Sequence, residues 1–118
     1  MKRLIRLTVV VIVALIAFPM LAVAGSTAAA KSLVIDVRSE AEWKDGHLEG
    51  AVLIPYQRIA DDIVRVAPDK GTKIGLYCRS GRRSDIALQT LKTLGYRDVV
   101  NYGGLNDAAR KLNIPIVK

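Results

Sequence analysis

Cysteine occurs once among the 118 residues, at Cys78, and histidine once, at His47. A lone thiol closes no disulfide within the chain, so a domain of this size, which buries only roughly two-thirds of its unfolded surface, must be held by its core. Nor can a lone thiol resolve a disulfide formed on itself, which excludes a thioredoxin-like or cysteine-cascade mechanism within the chain. Aromatic side chains are scarce, at 5%, and none interleaves with Arg79, Arg82 and Arg83 as a base-stacking platform for nucleic acid requires. Acidic residues number 11 against 18 lysines and arginines, for a net charge of +7. The general field of such a chain draws anions. With 51% hydrophobic and 25% charged residues, the composition is that of one folded domain and excludes a disordered or collagen-like polymer.

No charged side chain occurs from Leu7 to Ala24, whereas everything after Lys31 is mixed. Lys2, Arg3 and Arg6 precede the apolar run, and Pro19 with the small triplet Ala22-Val23-Ala24 closes it. This is the layout of a secretory signal peptide. The expected organisation is a signal peptide over residues 1–24, a short leader over 25–31 and one domain over 32–118. The alternative is a retained membrane anchor, because the uncharged run sits at the lower edge of what spans a bilayer, about 18 to 20 residues. Cleavage after Ala24 would lower the net charge from +7 to +4. The expected location is periplasmic or secreted, with membrane contact only through an uncleaved signal peptide, and export argues against a nucleic-acid partner.

Beyond Lys31 short apolar runs alternate with helical periodicity. Leu33 to Val37 reads as a strand. Ser39 and Glu42 stand at capping-box spacing for a short helix through Trp43, ended by Gly46. Ala51 to Ile54 reads as a second strand stopped by Pro55, followed by a helix carrying Ile59, Ile63 and Val66 on one face and closed by Pro68 and Gly71. Lys73 to Tyr77 reads as a third strand running into Cys78. Ala87, Leu88, Leu91 and Leu94 share a helical face, with Gly95 as its C-terminal cap. Val99 to Tyr102 reads as a fourth strand, Gly103-Gly104 as a turn, and Leu105, Ala108, Ala109 and Leu112 as the apolar face of a last helix. Strands that are apolar throughout and alternate with helices predict an α/β fold, a parallel sheet covered by helices on both faces. Ligands in such sheets bind beyond the carboxyl ends of the strands, where Cys78 falls.

The segment Cys78-Arg79-Ser80-Gly81-Arg82-Arg83-Ser84 lies between a predicted strand and a predicted helix. Curled so that successive amides point inward, it makes a nest for an anion at a helix N-terminus. Gly81 permits the left-handed conformation such a curl needs. Helix N-termini and nearby cations lower a cysteine pKa, and three arginines stand within five residues of this thiol. Cys78 is therefore the candidate nucleophile, with Arg79, Ser80, Gly81, Arg82, Arg83 and Ser84 as the candidate substrate-binding residues. The bland alternatives are a cysteine serving as a small buried hydrophobe and a solvated run of arginines.

The order strand, C-x-x-G-x-R-S, helix resembles the active-site loop of rhodanese-type sulfurtransferases. A second stretch agrees: Asp36-Val37-Arg38, then Glu42-Trp43, then Gly46-His47-Leu48-Glu49-Gly50-Ala51 and a closing Pro55 resemble the upstream signature of that family. The likeness runs from about Leu33 to Asn113 and is nearest to the small exported members. It implies a rhodanese-like domain over 32–118 in which Cys78 carries a sulfur atom as a persulfide. It further implies that amides from Arg79 to Ser84 cradle that sulfur and that Arg79 and Arg83 bind or steer an anionic donor. Asp36, Arg38, Gly46, His47 and Gly50 match positions that lock the first strand to the turn before the second, so His47 is read as structural rather than as a base for Cys78. Where members of the family carry an aromatic residue after the Gly-Gly pair, this chain has Leu105-Asn106-Asp107-Ala108, which predicts a less tightly packed last helix.

The implied reaction moves the outer sulfur of thiosulfate or a similar small anion to a thiol or, in the test tube, cyanide, with no metal and no organic cofactor. A related phosphatase or arsenate reductase loop is one residue longer, C-x5-R, whereas here arginine stands five positions after the cysteine and Ser84 occupies the sixth. The remaining alternative is a non-catalytic rhodanese-like module that binds an anion or a partner. An exposed thiol of low pKa outside the cytosol would also be open to over-oxidation.

Overall fold

Ser39 caps the first helix, three residues after the first strand has ended. A computed structural model describes residues 32–118; the expected signal peptide and leader, residues 1–31, lie outside the described residues. Strand β1, Ser32–Asp36, is followed by helix α1, Glu40–Asp45. The Ser39 hydroxyl accepts from the Glu42 amide, the Glu42 carboxylate accepts from the Ser39 amide, and the Gly46 amide closes the far end on the Trp43 carbonyl. The two-residue strands β2, His47–Leu48, and β3, Val52–Leu53, follow. A single 3-10 turn, Tyr56–Arg58, then leads into α2, Ile59–Val66. The remaining elements are β4, Lys73–Cys78; α3, Arg82–Thr93; β5, Val99–Gly104; α4, Leu105–Leu112; and β6, Ile116–Val117.

The main sheet is parallel with the order β3-β1-β4-β5. Side chains alternate across it, as a strand period of two dictates. Ile35 and Val37, with Ile74, Leu76 and Cys78, join Ile59 and Ile63 of α2 and Ala87 and Leu91 of α3 in one core. Val34 and Tyr77 project to the other face, where they meet Leu48 and Ala108, Ala109 and Leu112 of α4. Helices thus cover both faces. Gly75 in β4 makes room for this second core: a Cβ there would stand 2.6 Å from the ring of Tyr102.

The structure departs from the sequence reading in five places. Gly103 and Gly104 do not form a turn but continue β5, and the β4–β5 register shifts between Leu76 and Cys78 so that Cys78 lies opposite Gly104. The strand expected over Ala51 to Ile54 shortens to Val52–Leu53. Val66 and Leu94 stand 39% and 38% exposed, while Ala67 and Tyr96, one and two positions on, take the buried places. A second sheet, β2 antiparallel to β6, was not expected; two-residue strands carry no readable period. Finally, α3 begins at Arg82, so Arg82, Arg83 and Ser84 form its first turn and the loop proper is only Arg79 to Gly81. In the last helix Ala108 is fully buried, with Leu105, Ala109 and Leu112 half-buried beside it.

Candidate active site

Cys78 ends the central strand β4, and the chain must reverse at once to enter α3. Gly81 makes that reversal with φ 95°, a left-handed conformation unfavourable for a residue bearing Cβ. Its amide consequently turns back and donates to Cys78 Sγ at 2.9 Å. Burial pushes the thiol pKa up, but the Ser84 hydroxyl and the amides of Ser84, Ser80 and Gly81 lie within reach of the sulfur and outweigh it, leaving the pKa below its ordinary value. The leading causes are hydrogen-bond donors, and the three arginines expected to do this work are secondary. Nor is the thiol exposed: Cys78 is fully buried, with the apolar core on one side and the amides on the other.

The other residues of the segment divide by position. Arg79, Ser80 and Arg82 face solvent, Gly81 and Arg83 are half-buried, and Ser84 is sealed. Arg83 does not present a free guanidinium. Its two terminal nitrogens donate to the two carboxylate oxygens of Glu42 at 2.7 and 2.9 Å, and this pairing holds the Glu42 carboxyl at a pKa of about 2. Arg79 borders a cleft of about 530 Å³ that it shares with Arg38, Glu42, Asp45, Gly104 and Asp107. Two arginines and three carboxylates thus line one cleft.

Two further residues fasten the loop to β5. Asn101 donates from Nδ2 to the Gly81 carbonyl at 2.9 Å and accepts the Gly103 amide at 2.9 Å. Gly104 lets the loop pass: a Cβ on it would lie 2.5 Å from the Arg79 carbonyl oxygen. Neither role was drawn from the sequence, although a polar Asn inside Val99-Val100-Asn101-Tyr102 is the anomaly that could have signalled the first. In the sequence Glu42 stands as a capping residue and as part of the upstream signature, with nothing that ties it to Arg83; a loop arginine five positions after the thiol is the clue to a counter-charge.

The upstream motif forms the floor beside this loop. The Asp36 carboxylate is buried and accepts from Arg38 Nε and Nη2 at 3.0 and 2.7 Å, and Arg38 Nη2 also donates to the Gly46 carbonyl at 2.6 Å. The Leu48 amide donates to the Tyr77 hydroxyl at 3.0 Å. Strand β1, the turn at Gly46 and β4 are thereby locked together. His47 stacks on Trp43 at 3.5 Å between ring centroids and bonds through Nδ1 to the Trp43 carbonyl at 2.8 Å, which occupies its ring in holding α1 to β2.

Fold and site together define an α/β domain whose single thiol is held in an amide-lined loop at the carboxyl end of a parallel sheet. A sequence model of the rhodanese-like domain matches residues 23–111. Thiosulfate sulfurtransferase PspE of Escherichia coli (strain K12) is 39% identical over 75 residues, which span 64% of this chain and 72% of PspE. Among solved structures, a rhodanese with anions from E. coli is similar at a TM-score of 0.69 and 36% identity, over 75% of this chain and 99% of that one. A thiosulfate sulfurtransferase from Pseudomonas aeruginosa is similar at 0.67 and 28%, over 74% of this chain and 17% of its own. The chain belongs to the family of rhodanese-like domains.

Proposed function

We propose that this protein is a sulfurtransferase that carries sulfur on Cys78, taking it from a small anionic donor such as thiosulfate and passing it to a thiol, or to cyanide in vitro. The observation that carries this reading is the amide of Gly81 aimed at Sγ at 2.9 Å, in a loop too short to enclose a tetrahedral phosphate. In the first half-reaction the Cys78 thiolate attacks the outer sulfur of thiosulfate. A Cys78–sulfur bond forms, the sulfur–sulfur bond of the donor breaks, and its electron pair leaves with sulfite. The persulfide anion that remains is stabilised by the inward amides at the N-terminus of α3, which are fixed before charge arrives and cost no reorganisation. In the second half the acceptor bonds to the outer sulfur and the Cys78 thiolate departs. Arg79, exposed at the mouth, steers the donor; Ser80, Gly81, Arg82, Arg83 and Ser84 contribute the main-chain cradle.

The reading extends to location. A basic start, an apolar run and a small-residue site fit export with removal of residues 1–24. The full chain recovered from a periplasmic or secreted fraction should begin at Gly25; an intact N-terminus in the membrane fraction would indicate the anchor instead. For the chemistry, purified protein is mixed with thiosulfate and weighed intact. A gain of one sulfur atom that is absent from Cys78→Ala supports transfer. Unchanged mass with phosphate release from an aryl phosphate would support a phosphatase, and neither change would support a binding module.

A further inference from the structure

The Ser84 hydroxyl oxygen is the one buried side-chain nitrogen or oxygen without a hydrogen-bond partner among the described residues. Ser84 is fully buried in the first turn of α3. A hydroxyl sealed from water and left unpaired is destabilising, and alanine would be free of that penalty. Ala87, three positions on, is packed into the core from the same helix, so a methyl group is at home on this side of α3. Cys78 shares that core with Ala87 and accepts the amide of Gly81, the residue immediately before α3, at 2.9 Å, so its sulfur is the acceptor that this face of the helix offers the hydroxyl. A neutral thiol or a bridging persulfide sulfur is a poor acceptor, whereas a thiolate is a strong one. The hydroxyl therefore finds its partner in only one state of the sulfur.

We propose that the Ser84 hydroxyl donates to Cys78 Sγ when that sulfur is a thiolate, and thereby stabilises it as the leaving group when the acceptor takes the outer sulfur. The inference rests on the persulfide reading above and adds a side-chain donor to the amide cradle. As the acceptor bonds to the outer sulfur, the bond between the two sulfurs breaks and its electron pair collects on Sγ. Ser84 keeps its proton; only the hydrogen bond strengthens. An interaction that grows as charge develops accelerates that step. Loading has the opposite sensitivity, because a better stabilised thiolate is a weaker nucleophile.

The test compares Ser84→Ala with the wild-type full chain. The pH midpoint of iodoacetamide alkylation should rise by about one unit. Single-turnover discharge of the preloaded persulfide to cyanide should slow by about tenfold, while loading at alkaline pH is unchanged or faster. The melting temperature should stay level or rise, because an unpaired hydroxyl has been removed. Ser84→Thr, which keeps a hydroxyl, should retain the wild-type midpoint. An unchanged midpoint and discharge rate in Ser84→Ala, with a lowered melting temperature, would overturn the proposal and leave Ser84 a packing residue. The alkylation arm needs no sulfur donor, so failure of the wild type to load sulfur would sink the sulfurtransferase reading separately.

Discussion

Glu42 grips Arg83 with both carboxylate oxygens, at 2.7 and 2.9 Å, and so ties the first turn of α1 to the first turn of α3, 41 residues further along the chain. Each partner is only about a quarter exposed. The pair fixes the helix whose N-terminal amides face the thiol, so a residue that caps one helix also positions the loop of another.

Glu42→Gln removes the charge while keeping a side chain that can still complete the capping box. Arg83 is then unpinned, and sulfurtransferase kcat/KM should fall by about tenfold. Stability should fall by about 1–2 kcal/mol, a figure discounted for partial exposure. The pH dependence has a definite sign. The folded pKa of Glu42, about 2, lies below its ordinary 4.5, so the stabilisation is fully present above the ordinary value and is lost as pH falls towards 2. Denaturant unfolding of both proteins should show a constant difference at neutral pH that shrinks below about pH 4.5. A difference independent of pH would remove the ion pair from the account.

Arg79 and Arg83 should separate kinetically. Arg79 is exposed at the cleft, whereas Arg83 is built into the scaffold. Arg79→Ala should raise KM for an anionic donor by about tenfold with kcat kept, and the effect should diminish with added salt. Arg83→Ala should instead lose most of kcat. Steady-state kinetics at two ionic strengths decide the matter, and equal small effects would mean that neither charge acts.

Gly104→Ala places a methyl group where only 2.5 Å separates it from the Arg79 carbonyl oxygen. Backbone cannot yield as a flexible side chain does, so the loop must move. A displacement of this kind is expected to lower activity by about 100-fold, with the circular dichroism spectrum retained. Wild-type activity in this variant would show that the loop tolerates another path.

Sequence reasoning reached the fold because β1, β4 and the helices α2 to α4 each carry enough apolar residues to display a period, and because Ser39, Gly46, Gly81 and Gly95 punctuate them. It singles out Cys78 through its placement after a strand. It missed contacts between residues far apart in sequence. Glu42 and Arg83 lie on different elements, and Asn101 reaches Gly81 across 20 positions; local spacing carries no trace of either. The burial of the thiol and the bulge that brings Gly104 against Arg79 arise from the β4–β5 register, which only tertiary packing sets. The acidity of the thiol was credited to arginines because charges are visible in a sequence, whereas inward amides are a property of the folded loop.

Sulfite release without an acceptor tests the central chemistry most directly. Mixing the protein with excess thiosulfate alone should liberate one sulfite per chain in a single burst, since the persulfide blocks a second turnover, and Cys78→Ala should liberate none. Absence of the burst, or an equal release from Cys78→Ala, would contradict covalent capture of sulfur by this thiol.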